Sequence, residues 1–204
     1  MGEYTVHIVD DEETVRKSLA FLLTMAGFTA RVHESATSFL AVAPGLRCCC
    51  LVTDLRMPDM NGVDLLRQLG ASNAMMPAIV VTGHADVPMA VAAMKAGAVD
   101  FIEKPFDDEV LFDAIKRAAE RIGGPESDTD NAAVVQSRLE LLSERERQVL
   151  SAVVDGKPNK SIAYELDISP RTVEVHRANV MAKMQAKSLP ELVRMTFAVK
   201  RSEA

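Results

Sequence analysis

The first 120 residues alternate short apolar runs with longer stretches of helical periodicity. Residues 5–9, 30–33, 50–53, 78–82 and 99–102 read as strands. Between and after them, roughly 13–25, 36–43, 62–69, 88–96 and 107–121 carry apolar residues at helical spacing. Five strand-then-helix repeats predict a five-stranded, doubly wound parallel sheet with helices on both faces, an α/β fold. Ligands of such folds gather at the carboxyl ends of the strands.

From residue 123 the pattern breaks. GGPESDTDNA is polar, acidic and bears glycine and proline, so 123–140 is expected to be a linker. From within it, 131–142 has helix-compatible spacing through Val134, Val135, Leu139 and Leu142, which predicts a partly helical linker. The last stretch has no strand signal and reads as four helices. Ser143 and Glu146 form a capping box for the first, which ends near Asp155, and the second covers about 159–167. Ser169 caps a third, with Pro170 at its first position, that runs to about Met184; Ser188 and Glu191 repeat the capping box for the fourth. The expected organisation is therefore one domain over 1–122, the linker, and an all-α domain over 141–204.

At 204 residues, 48% hydrophobic and 25% charged, the chain is long enough for one large domain or two small ones, each able to bury a core, and composition alone leaves both open. No apolar run approaches the roughly 20 residues of a membrane span, and MGEYTVHIVDDEE lacks the basic flank and cleavage site of a signal peptide. A cytoplasmic protein with no membrane partner is expected. Cys48, Cys49 and Cys50 are consecutive, which suits neither a disulfide framework nor zinc, so they are expected to enter a buried strand. Charge is uneven. Residues 1–138 hold 12 Lys+Arg against 20 Asp+Glu, a net −8, whereas 139–204 hold 11 against 9, a net +2.

The stretch LVTDLRMPDMNG runs an apolar strand into Asp54 and then into a dense turn signal. Asp10 and Asp11 follow the first strand, Thr82 ends the fourth, and Lys104 follows the fifth, so all five residues are expected on one sheet edge. Carboxylates about 4–5 Å apart repel by roughly 3–4 kcal/mol at an effective dielectric near 20, so three together call for a cation. Oxygen-only ligands favour a hard ion, Mg²⁺ in particular, because it keeps waters that a phosphorylated donor can replace. With Thr82 to donate to a phosphoryl oxygen and Lys104 to pair with another, Asp54 is the expected nucleophile that forms an acyl phosphate.

Two other readings stay open here. The pocket could belong to a structural or protein-interaction module that is never charged. It could also belong to an aspartyl-phosphate hydrolase, although that class resembles D-x-D and here Arg56 stands two after Asp54, so turnover should be poor. Arg56 and His84 could instead screen attacking water. His7, His33, His84 and His176 all lie in settings unsuited to a phosphodonor, so the kinase must be another protein.

The paired acids Asp10–Asp11, D-x-x-M-P-x-x-x-G (Asp54, Met57, Pro58, Gly62), T-G (Thr82, Gly83) and K-P-F (Lys104 to Phe106) resemble the receiver domain of two-component response regulators, over roughly 4–121. The resemblance implies a flavodoxin-like fold in which Asp11, Asp54 and the backbone carbonyl of Arg56 ligate Mg²⁺ and Asp10 acts through water. It implies a cis Lys104–Pro105 peptide and Phe101 as a switch aromatic that turns inward as Thr82 moves. Val91, Lys95, Asp100 and Phe101 would then lie at a dimer face.

On the third C-terminal helix, at 100° per residue, Val173, Val180 and Met184 lie within about 20° of one line and form its core stripe. Opposite fall Arg171, Val175, Ala178 and Ala182, flanked by Glu174 and Asn179. Alanines let this face approach a surface closely, and Arg, Glu and Val suit guanine, cytosine and the thymine methyl in the major groove. With the preceding helix it makes a helix-turn-helix. Lys160, Ser169 and Thr172 are placed to donate to phosphates, with Lys183 and Lys187 adding to a basic rim. His176 is expected to be packed, and Arg177 to point toward the domain.

L-[ST]-x-R-E-x-x-V-L, N-K-x-I-A and S-x-x-T-V-x-x-H are all present and resemble the LuxR-type DNA-binding domain over 141 to about 200. Joined to a receiver, the layout is similar to the NarL/FixJ family of response regulators, and in particular to its nitrogen-fixation activators. That resemblance implies an oxygen-sensing, FixL-like histidine kinase as donor, promoter double-stranded DNA and RNA polymerase as partners, and activation of nitrogen-fixation genes. A +2 domain neutralises few DNA phosphates, so two copies on a two-fold site should bind far better than one, and a homodimer formed on phosphorylation would couple phosphate to DNA. The fourth helix, with Leu189, Leu192, Val193, Thr196 and Phe197, could pack the domain or pair two of them.

Overall fold

A computed structural model describes residues 4–72, 74, 76–83, 86–120 and 128–202. The chain forms two compact units. In the first, five strands, β1 (Thr5–Val9), β2 (Thr29–His33), β3 (Cys49–Asp54), β4 (Ala78–Thr82) and β5 (Ala98–Glu103), pair in parallel in the order β2-β1-β3-β4-β5. Along the chain these strands alternate with α1 (Glu13–Met25), α2 (Ala36–Leu40), α3 (Gly62–Ala71), α4 (Val87–Lys95) and α5 (Asp108–Glu120), of which the 87–92 part of α4 falls in the second unit. Reversal of strand order beside β1 and β3 makes the crevice between their carboxyl ends the natural ligand site.

The near-continuous apolar runs of β3 and β4 fit strands covered on both faces. Period two sends Val6, Ile8, Cys50, Val52, Ile79 and Val81 to one face, where they pack with Leu19 and Leu23 of α1 and Leu111, Ala114, Ile115 and Ala118 of α5. Helix α2 is shorter than the expected 36–43, because Pro44 forces a 3₁₀ turn over Ala43–Gly45. Cys49 and Cys50 enter the buried strand as expected, but Cys48 is exposed, with a left-handed φ of 49° just before β3.

The second unit is helical: α6 (Asp128–Glu140), α7 (Glu144–Val154), α8 (Asn159–Leu166), α9 (Pro170–Met184) and α10 (Leu189–Ser202). Ser143 and Glu146 close the capping box of α7, and Ser169 accepts the Thr172 N–H at the start of α9. The second capping box is only half formed. Ser188 accepts the Glu191 N–H, whereas the Glu191 carboxylate reaches back to the N–H of Lys187.

Residues 121–127, which include 123–127 of the expected linker, lie outside the described residues. Its second part is α6, and this helix is more than a tether. Val135 is buried with Leu142, Leu150, Val154, Val180, Met184, Leu192 and Val199, and Leu139 packs against the same cluster. Helix α10 packs the domain: Leu192, Val193, Thr196 and Val199 are buried. Among the described residues no helix is long and apolar enough to cross a membrane.

Candidate functional site

The carboxyl edge of the sheet gathers the expected residues in part. Asp10, 4% exposed, follows β1, Asp54 ends β3, Thr82 ends β4 and is 1% exposed, and Lys104 follows β5. Lys104 Nζ stands 3.2 Å from Asp10 Oδ2 and 3.1 Å from Asp54 Oδ1. The Lys104 N–H donates to the Thr82 carbonyl at 2.7 Å, which fastens the β5 end to the β4 end, and the Lys104–Pro105 peptide is cis. The Arg56 N–H donates to Asp54 Oδ2 at 2.5 Å, and the Glu12 N–H to Asp10 Oδ1 at 2.9 Å.

Charge explains why two carboxylates tolerate this proximity. At an effective dielectric near 20, an ammonium about 3 Å from each attracts it by roughly 5 kcal/mol, while the pair repels itself by roughly 3 kcal/mol. Burial pushes the Asp54 carboxyl up from its ordinary range, with the Arg56 N–H and Lys104 pulling it back only in part. Burial opposes the Lys104 charge, yet Asp10 and Asp54 together hold it above its usual range.

Of the three acids, Asp10 and Asp54 share the Lys104 ammonium. Asp11 is exposed at the rim, and among the described residues no three acidic, histidine or cysteine side chains converge as a metal cluster. Lys104 supplies positive charge to Asp10 and Asp54. The donor set still fits a hard cation: Asp10 and Asp54 carboxylates held side by side at a polar rim, the Arg56 backbone next to Asp54, and Asp11 beside Asp10.

Two features were not legible in the sequence pattern. Arg16 of α1 donates to the Asp10 carbonyl at 2.6 Å and so fixes the loop that carries the acids. Gly62 starts α3 so close to β3 that an added Cβ would lie 2.5 Å from the Asp54 carbonyl oxygen, and its N–H donates to the Leu55 carbonyl. The motif contained this glycine, but not the reason for it. His84 lies outside the described residues.

Of the residues expected at a dimer face, Lys95 is exposed. Phe101 and Val91 are buried, and Asp100 is partly buried and held by Arg117 of α5.

In the helical unit, Val173, Val180 and Met184 are buried as expected, and Arg171, Glu174, Val175, Ala178 and Asn179 are exposed. Arg171 Nη1 pairs with Glu174 Oε2 at 2.9 Å with side chains 85% and 50% exposed, a contact weak enough for a base edge to replace. Val175 is exposed although apolar. Ser169 Oγ and Thr172 Oγ1 are 2.8 Å apart, so one hydroxyl proton is taken up between them and the other is left for an outside acceptor. Lys160 is exposed. His176 is half-buried, with its Nδ1 inaccessible, and Arg177 donates to Asn159 Oδ1 at 2.8 Å, tying α9 to α8.

Lys183 is a correction. It lies about 80° from the core stripe at 100° per residue, which turns it toward the start of α7 rather than outward. There its ammonium meets Glu146 Oε2 at 2.6 Å and the Leu141 carbonyl at 3.2 Å, so it belongs to the unit's internal packing.

Residues 6–116 match the response regulator receiver domain, and residues 140–196 match the bacterial regulatory proteins of the luxR family. The chain belongs to the response regulator family. It joins a receiver to a LuxR-type DNA-binding domain and regulates transcription within a two-component system. Such a response regulator has a histidine kinase and DNA as partners, and receiver domains use Mg²⁺ in phosphorylation.

Its relatives share the whole layout. The transcriptional regulatory protein FixJ of Rhizobium meliloti (strain 1021) is 70% identical over 198 residues, spanning 97% of this chain and 97% of its own. FixJ of Azorhizobium caulinodans is 53% identical over 192 residues, 94% of this chain and 91% of that protein. Among solved structures, full-length FixJ from B. japonicum superposes with a TM-score of 0.57 at 46% identity, covering 97% of both chains. The structure of FixJ-N gives 0.57 at 68% identity over 59% of this response regulator and 96% of that chain.

Proposed function

We propose that phosphoryl transfer from a FixL-like sensor histidine kinase to Asp54 drives receiver dimerisation and sequence-specific promoter binding, and that the bound dimer activates transcription by RNA polymerase, with nitrogen-fixation genes as targets. The observation that carries the reading is Asp54 at the end of β3, with Oδ1 held 3.1 Å from Lys104 Nζ beside Asp10. The likeness to FixJ proteins supports the kinase and gene assignments. In this reading the receiver spans about 1–122, the DNA-binding domain about 141–204, and α6 leads from one to the other.

An Asp54 carboxylate oxygen attacks the phosphorus of the donor phosphohistidine. The O–P bond forms as the N–P bond breaks, and the imidazole leaves with the electron pair. Asp11, Asp54 and the Arg56 carbonyl would hold Mg²⁺, with Asp10 acting through water. Bound there, the ion neutralises charge on the phosphoryl oxygens. Lys104, no longer balanced by a free Asp54 carboxylate, pairs with a phosphoryl oxygen, and Thr82 donates to another. Arg56 follows Asp54 where the hydrolase class keeps a proton donor, so the acyl phosphate is stored and self-dephosphorylation is slow.

The movement of Thr82 lets Phe101 shift inward, and the surface around Val91, Lys95, Asp100 and Phe101 becomes the dimer face. Two copies then place Arg171, Glu174, Val175 and Ala178 in successive major grooves, with Lys160, Ser169 and Thr172 on the phosphates. The test is Asp54→Asn in the full chain with a small acyl-phosphate donor and Mg²⁺. Label uptake and phosphate-driven dimerisation should both disappear, and an equal response of variant and parent would end the proposal.

A further inference from the structure

The reading helix of the DNA-binding domain is held by a residue that precedes the stretch matching the luxR family. At the C-terminus of α9 the last carbonyls have no partner within the helix, and Gln185 caps it in a left-handed conformation with φ 54°. Arg138 of α6 fills this position. Its Nη1 donates to the Met184 carbonyl at 3.0 Å and its Nη2 to Gln185 Oε1 at 2.7 Å. A guanidinium is suited to this role. It presents two parallel donors in a rigid plane, and its positive charge lies at the negative end of the helix dipole.

The clasp is anchored on both sides. Val135 and Leu139 of α6, three residues before Arg138 and one after it, pack into the cluster that contains Val180 and Met184 of α9 and Leu192 and Val199 of α10. Two other contacts fix α9 from within its own domain, Lys183 to Glu146 of α7 and Arg177 to Asn159 of α8. Arg138 is the polar contact to α9 among these that comes from a residue preceding 140–196, the stretch matching the luxR family.

We infer that Arg138 is a positioning residue for DNA recognition: α6, the helix that follows the receiver in sequence, clasps the end of α9 and sets the angle at which Arg171, Glu174, Val175 and Ala178 are presented. The inference rests on the assignment of the exposed α9 face to DNA. It adds that a segment outside the matched DNA-binding domain is part of the reading apparatus. Arg138 touches no base or phosphate in this scheme. Its effect passes through α9.

The experiment uses the full chain, treated with an acyl-phosphate donor and Mg²⁺, and compares the parent with Arg138→Ala, Arg138→Lys and Gln185→Ala. The probes are a duplex selected by the parent from a random-sequence pool and an unselected duplex of equal length. Arg138→Ala should lose about tenfold in affinity for the selected duplex, the size of a lost charge-assisted clasp, and less on the unselected one. Arg138→Lys, which keeps the charge but not the fork, should recover part of the loss. Gln185→Ala removes one of the two contacts and should fall between, which keeps the inference testable if Arg138→Ala fails to fold.

Amide exchange over residues 181–187 decides the clasp without DNA: it should quicken in Arg138→Ala, with slow exchange in α7 retained. Unchanged exchange there, or unchanged affinity for the selected duplex in a folded Arg138→Ala variant, overturns the inference. A parent that selects no duplex, with exchange still quickened by Arg138→Ala, overturns instead the assignment of α9 to DNA.

Discussion

Lys183 Nζ of α9 lies 2.6 Å from the Glu146 carboxylate of α7, which is 4% exposed, so a cation that appeared to belong to the DNA rim works as an internal strut. The same carboxylate accepts the Ser143 N–H, closing the α7 cap. The Lys183 hydrogen bond, followed by the Ser143 N–H, holds the Glu146 carboxyl down at about 2 against an ordinary 4.5.

Stability of the helical unit should accordingly depend on Glu146 in one direction with pH. The folded value lies below the unfolded one, so the contribution is complete above pH 4.5 and is lost as pH falls toward 2. Glu146→Gln should cost about 1–3 kcal/mol at pH 7 and clearly less at pH 3, because below pH 4.5 the unfolded parent takes up a proton that its folded form does not. Denaturant titration at the two pH values measures this, and a gap of equal size at both would contradict it.

Lys104 competes with any cation for Asp10 and Asp54. Removing it as Lys104→Gln should therefore tighten Mg²⁺ binding several-fold, even though the receiver loses an ion pair. Titration calorimetry on the full chain gives the constant, and weaker binding in the variant would mean that the ammonium assembles the site rather than competing for it.

Two glycines of α3 should respond in opposite ways. Gly62→Ala drives a Cβ to 2.5 Å from the Asp54 carbonyl oxygen and should cost about 1–3 kcal/mol while slowing phosphoryl uptake. An added Cβ at Gly70 meets nothing within 4 Å, so Gly70→Ala should be neutral or stabilise by up to about 1 kcal/mol. Thermal melts and label uptake on the pair check both, and equal losses would remove the special status of Gly62.

On DNA, Arg171→Ala should weaken binding to the selected duplex by about 1–3 kcal/mol and leave unselected DNA nearly unaffected. Lys160→Ala should weaken both alike and reduce the salt dependence by about one phosphate contact. Band shifts at two salt concentrations separate these outcomes, and parallel losses for Arg171→Ala would reduce α9 to an electrostatic contact.

The sheet was legible because period-two and period-3.6 patterns alternate cleanly through residue 120, and strand ends then dictate that Asp10, Asp54, Thr82 and Lys104 meet. What stayed hidden was set by orientation and distance. Neighbours in sequence, Asp10 and Asp11 diverge, one turned to Lys104 and the other to solvent. Lys183 could not be assigned while its partner, Glu146, was counted only as a cap. Helix α6 was read as a tether because acidic, glycine-bearing residues precede it, although Val135 and Leu139 already had the i, i+4 spacing of a packed face. Arg138 and Arg16 carry no motif at all, since each acts on a backbone carbonyl, which any sequence supplies.

The left-handed entry into β3 gives this protein a practical handle. Cys48 is exposed at the amino end of the sheet, opposite the rim that carries Asp54, while Cys49 and Cys50 are buried, and burial pushes both of their thiols up, that of Cys50 to about 12. A maleimide dye should therefore attach at one cysteine of three without mutagenesis, labelling the receiver while Asp54 is left untouched.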